Sequence, residues 1–99
     1  MKKLLVTGAE AGLSGDDQIR IALRKIEERG GSAQMHELYE AVEEHLDGAA
    51  LSPQGKASLR FFINRVAVQA GYIFPHDRQN PGWKITQRGS ALLRRSQAA

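Results

Sequence analysis

Apolar residues recur along most of this chain at helical spacing and switch to alternation near its end. The longest helical pattern in the second half runs from Gly55 to Gly71. There Leu59, Phe62, Ile63, Val66 and Ala70 fall at i, i+3, i+4, i+7 and i+11 and build one apolar stripe. Ser52-Pro53 ahead of it supplies a capping hydroxyl and a residue whose missing N–H does no harm in a first turn. Gly71 behind it supplies a left-handed stop. The spacing therefore predicts a helix with that stripe in the core. The same spacing turns Arg60, Phe61, Asn64, Arg65 and Val68 to the opposite face.

Two further helices are predicted upstream. In the first, over about 16–29, Ile19, Ala22, Leu23 and Ile26 face inward, with Ser14 or Asp16 as cap and Gly30-Gly31 as stop. In the second, over about 35–46, Met35, Leu38, Tyr39, Val42 and Leu46 face inward while Glu37, Glu40, Glu43 and Glu44 face out. Ser32-Ala33-Gln34 between them is long enough for one short strand, and 47–54 reads as a loop. Beyond Gly71 the period changes. Tyr72-Ile73-Phe74 is β-prone, 75–82 is full of turn formers, and Trp83-Lys84-Ile85 alternates as a half-buried strand does. Thr86 can cap a short last helix packed through Ala91, Leu92 and Leu93.

The expected class is α+β, mainly α. Three helices, a two- or three-stranded sheet with a polar hairpin loop, and a short C-terminal helix make the pattern of a winged helix-turn-helix. In that fold the third helix enters the major groove and the wing lies along the backbone or in the minor groove. The domain is expected over 16–95, after a flexible leader at 1–15 that holds at most one short strand and before a tail at 96–99.

Ninety-nine residues, 41% hydrophobic and 25% charged, suit one small globular domain. There is no cysteine, which removes disulfides and thiolate metal sites. No apolar run approaches the ~20 residues of a membrane span, and the Leu4-Leu5-Val6 run is shorter than a signal peptide's ~7–15. The chain reads as cytoplasmic, with no membrane partner. The net charge of +3 conceals an asymmetry. Residues 1–52 hold six Lys/Arg and ten Asp/Glu; residues 53–99 hold eight Lys/Arg and one acid, Asp77. A basic half of this kind suits a polyanion such as double-stranded DNA.

Two resemblances bear on function. The run K-K-L-L-V-T-G-A-E-A-G-L-S-G within residues 1–15 is similar to the opening strand and glycine turn of nucleotide-binding short-chain dehydrogenases. Its glycines, Gly8, Gly12 and Gly15, lack that spacing, and the repeated strand–helix units are absent. No cofactor is expected. The second resemblance spans about 17–95. The runs G-G-S-A-Q-M-H-E-L-Y-E-A-V, Q-A-G-Y-I and G-W-K-I-T-Q-R-G-S-A-L-L resemble the N-terminal winged-helix domain of Mrr-type restriction proteins. Asn64-Arg65-Val66 lies later in the third helix than that family's N-R-V, so no base-reading role is carried over through it. The resemblance implies a DNA-reading module of restriction-modification type that senses modified DNA, with a nuclease domain or a second subunit as partner. No nuclease motif is present in this chain.

The residues assigned to DNA are Lys56, Arg60, Phe61, Asn64, Arg65 and Val68 on the third helix, and Arg78, Gln79, Asn80, Trp83 and Lys84 on the wing. Arginine can pair with guanine and asparagine with adenine through two bonds, whereas Lys56 at the helix start suits a phosphate. Each has an ordinary counterpart: a solvated helix face, a plain turn at 78–80, and a core plug at Trp83. Phe61 and Val68, with Trp83 at the wing base, could meet a base methyl group, which would make the domain a reader of methylated DNA. Phe61 and Val68 could equally form an apolar strip for protein association or dimerisation. His36, His45 and His76 are scattered without ligand spacing, and nothing groups a catalytic triad, so neither a metal site nor an enzyme is expected.

Overall fold

The computed structural model describes residues 3–79 and 81–97. The order is β1 (Leu5–Val6), α1 (Gly15–Glu28), β2 (Ser32–Ala33), α2 (Met35–Glu43), β3 (Ala50–Leu51), α3 (Pro53–Phe61, continued as a wider turn over Phe62–Ala67), β4 (Trp83–Lys84) and α4 (Gln87–Gln97). The result is an α+β, mainly helical body with two minimal sheets. No helix among the described residues is long and apolar enough to cross a membrane.

Local capping chemistry sets the helix starts. Ser14, not Asp16, caps α1: its Oγ accepts from the Asp17 N–H at 3.0 Å, and the Asp17 carboxylate accepts from the Ser14 N–H at 2.9 Å. Before α2 the Glu37 carboxylate accepts from the Gln34 N–H at 3.1 Å. Ser52 caps α3 by accepting from the Gly55 N–H at 3.0 Å. The backbone N–H of Ser14 holds the Asp17 carboxyl below its usual range, and that of Gln34 does the same for Glu37. A carboxylate whose folded pKa is lowered stabilises the fold above its unfolded value, and that stabilisation is lost as pH falls through the folded value. Stability should therefore drop below about pH 4. The urea midpoint of an Asp17→Asn/Glu37→Gln variant should fall less steeply between pH 5 and 3 than that of the parent. An identical slope would mean that these caps do not set the acid limb.

The predicted stripes of α1 and α2 form the core. Ile19, Ala22, Leu23, Ile26, Leu38, Val42 and Leu46 are all buried, and Met35 and Tyr39 are partly buried against them. The stripe of α3 shifts. Leu59 and Ile63 are fully buried, but the next buried position is Ala67, while Val66 is 39% exposed. The cause is the backbone beyond Phe61. Over Phe62–Ala67 the helix is of π type, and the Val68 N–H donates to Ile63 O at 3.1 Å, i to i+5. Each such turn takes in one more residue than an α-turn, so the inward position moves along by one. Val68, expected on the outer face, is consequently half-buried against the core.

Residues 3–13, where a leader was expected, lie against this body. β1 pairs in parallel with β3, Leu5 with Ala50 and Val6 with Leu51. The Ser52 N–H donates to Val6 O at 2.9 Å, and buried Gln18 donates Nε2 to Leu13 O at 3.2 Å. The first turn of α3 presses on β1 so closely that a Cβ at Gly55 would stand 2.8 Å from Val6 O.

In the second sheet β4 lies between β2 and the segment after α3. Ser32 pairs with Lys84 and Ala33 with Trp83, both antiparallel. On the other side the expected strand 72–74 is reduced to one antiparallel bridge, Ile73 with Ile85, and the Phe74 N–H donates to Lys84 O at 2.9 Å. Thr86 then joins the exit of α3 to the start of α4. Its hydroxyl donates to Gly71 O and accepts from the Gly89 N–H. Leu93 is buried, Leu92 half-buried, and Ala91, expected inside, is exposed. Gly89 is the tight point: a Cβ there would stand 2.3 Å from Tyr72 O and 2.8 Å from Ile85 Cγ1. Backbone cannot yield as a flexible side chain can, so Gly89→Ala should cost about 1–3 kcal/mol in denaturant unfolding. A variant as stable as the parent would mean that α4 can move off the sheet.

Candidate nucleic-acid interface

The buried ridge Leu59–Ile63–Ala67 fixes α3 by one side and leaves the other to solvent. On that other side Arg60, Phe61, Asn64, Arg65 and Val66 are all exposed. The π-turn that moves Val66 outward is thus part of how this surface is made. Phe61 is 55% exposed, and its ring meets the edge of Phe62 at 6.0 Å and 70°. Phe62 is in turn seated against the start of α1 at Gly15.

At the α2 end of this face the side chains are tied down. Arg60 donates Nη1 to Tyr39 Oη at 2.8 Å, and Lys56 Nζ lies 5.4 Å from the centre of the Tyr39 ring. Tyr39 comes from the inward stripe of α2 and is half-buried, so its ring is held while its hydroxyl reaches the edge. Sequence reasoning assigned Tyr39 to packing alone. The signal was available, because a tyrosine hydroxyl at the edge of a core needs a polar partner. Which partner it finds depends on the crossing of α2 and α3.

The wing-side residues divide. Arg78 and Gln79 are exposed in a turn where the Gln79 N–H donates to Asp77 Oδ1 at 2.9 Å. Lys84 is half-buried on β4. Asn80 lies outside the described residues. Trp83 is not a surface group: it is 9% exposed, part of the core, and its ring centre stands 5.4 Å from that of His76. On β4 its side points inward, so neither base stacking nor contact with a methyl group is open to it. Val68 drops out of the surface for the reason given above. Phe74, assigned to a strand, is 53% exposed, and Arg88, Arg94 and Arg95 of α4 are exposed as well.

No protein-family model, curated protein or solved structure matches the chain. What the site can do must therefore be read from its own chemistry. The two ion pairs among the described residues, Lys25–Glu28 at 3.9 Å and Arg29–Glu37 at 2.6 Å, both lie in the acidic half. Glu43 of α2 is turned to the Leu51 N–H, which it accepts at 2.8 Å. The cations of α3 are thus not neutralised by the acids of α2 that have found partners. Among the described residues no three His, Cys, Asp or Glu side chains come together as a metal site would require.

Proposed function

We propose that this chain is a double-stranded DNA-binding domain of the winged-helix type, with the exposed face of α3 in the major groove. The observation that carries the reading is the division of α3: Leu59, Ile63 and Ala67 are fully buried, and Arg60, Asn64 and Arg65 stand together in solvent within a half-chain of eight bases and one acid. The order of the second sheet supports it. A strand following the first helix, a central last strand and, on the far side of that strand, a short bridged segment at Ile73 form the frame from which a wing loop, with Arg78 and Gln79, would reach the backbone. The likeness to Mrr-type domains points the same way and would give the module a nuclease partner. Methyl recognition within this reading rests on Phe61, since Trp83 and Val68 are withdrawn; one contact to a methyl group supports discrimination of only about fourfold.

The test is a duplex titration across salt concentrations. Affinity should fall steeply as salt rises, because each neutralised phosphate releases counterions. A second reading, protein association, is favoured by one observation, the exposure of Phe61 and Phe74 at 55% and 53%. Sedimentation that reports a dimer insensitive to salt, with no duplex binding, would select it instead.

A further inference from the structure

We infer that Tyr39, Lys56 and Arg60 form a single cradle for one backbone phosphate, with Tyr39 as its positioning residue, and that base reading is left to Asn64 and Arg65. The inference rests on the DNA-binding reading and divides the α3 face into two tasks. Arg60 spends Nη1 on Tyr39 Oη at 2.8 Å, which fixes its guanidinium beside α2 and leaves Nε and Nη2 for a ligand. The Tyr39 oxygen accepts that bond, so its own O–H proton remains to be donated. Lys56, one helical turn before Arg60, holds its ammonium 5.4 Å from the same ring, attracted by the negative face of the aromatic system. The three groups offer mainly donors, two of them charged, around one half-buried ring, since the Tyr39 oxygen already accepts from Arg60. That is the requirement for a tetrahedral oxyanion approached from several sides and is poorly matched to the mixed donor and acceptor edge of a base pair. Among the described residues Asn64 and Arg65 have no such tether, and they lie further along the exposed face.

Preorganisation is Tyr39's part. A free arginine surrenders side-chain freedom on binding a phosphate, whereas a tethered one has already done so. Tyr39→Phe keeps the ring and its contact with Lys56 and removes only the tether and the donated proton. With the full chain and fluorescent 20-base-pair duplexes of two unrelated sequences, Tyr39→Phe should weaken binding about two- to tenfold, and equally on both. Arg60→Ala should weaken both equally too, and should lower the slope of log affinity against log salt by about 0.9, one phosphate's worth. Tyr39→Phe should cost less in the Arg60→Ala background than in the parent, because the tether is already gone there and only the hydroxyl's own donated bond is left to lose, with unfolding midpoints unchanged throughout; a merely structural role for Tyr39 would move the midpoints and not the cycle. Wild-type affinity in Tyr39→Phe, or a change in preference between the two duplexes in Arg60→Ala, would overturn the cradle while leaving DNA binding in place. Failure of the parent protein to bind any duplex would overturn both.

Discussion

Replacing Ile63 by Ala should cost about 2–5 kcal/mol of stability, and replacing Val66 by Ala should cost almost nothing. The first figure follows from removing a fully buried side chain and leaving a cavity that the surrounding helices only partly fill. The second follows from the 39% exposure of Val66 and its place on the outer side of the π-turn. A domain of this size holds only about 5–15 kcal/mol in all, so the Ile63 variant forfeits a large share. Helical periodicity alone puts both residues in the core and expects both variants to suffer. Paired urea titrations of the two variants therefore measure the widened turn itself. Comparable losses at both positions would restore a plain α-helix over 55–71, return Val66 to the core, and bring Val68 outward. The exposed face proposed to meet DNA would then be redrawn around Val68.

The contrast between these two residues marks how far the sequence could be read. Features decided within one or two turns of chain were legible: the stripes of α1 and α2, the caps at Ser14, Ser52 and Thr86, and the alternation that turns Trp83 and Ile85 to one side. They suffice for an α+β, mainly helical body. Features decided by what packs from a distance were not. The pairing of β1 with β3 joins Leu5 to Ala50 through two-residue strands, too short to show alternation. The bond from Arg60 to Tyr39 spans 21 residues of sequence. The π-turn leaves no periodic trace, because a six-residue segment, Phe-Ile-Asn-Arg-Val-Ala, fits an α-stripe equally well on paper. Trp83 shows the same limit from the other side. Its alternation with Lys84 marks a half-buried strand, but only the sheet decides which half, and Ala33 across the ladder puts it inside.

On the proposed DNA-binding function, loss of Asn64 and Arg65 together should change which DNA is preferred, whereas loss of Arg60 should change only how tightly any DNA is held. Both Asn64 and Arg65 are exposed beyond the buried Ile63, and both carry side chains able to make paired hydrogen bonds to a base edge, asparagine with adenine and arginine with guanine. Each such pair is worth about 1–3 kcal/mol of discrimination, so the double variant Asn64→Ala/Arg65→Ala should bind its best duplex roughly 2–6 kcal/mol more weakly if the two contributions add. Its affinity for unrelated duplexes should fall far less, because only the arginine's charge acts there. Neither side chain is buried, so the unfolding midpoint should not move, which separates a lost contact from a lost fold. Selection from a random duplex pool supplies the best sequence for the parent, and titration of both proteins against that duplex and a scrambled one gives the four affinities needed. A double variant that loses equally on both duplexes would reduce α3 to a phosphate-binding helix. Sequence choice would then have to come from the 74–82 loop, where Arg78 and Gln79 are exposed, or from the deformability of the DNA.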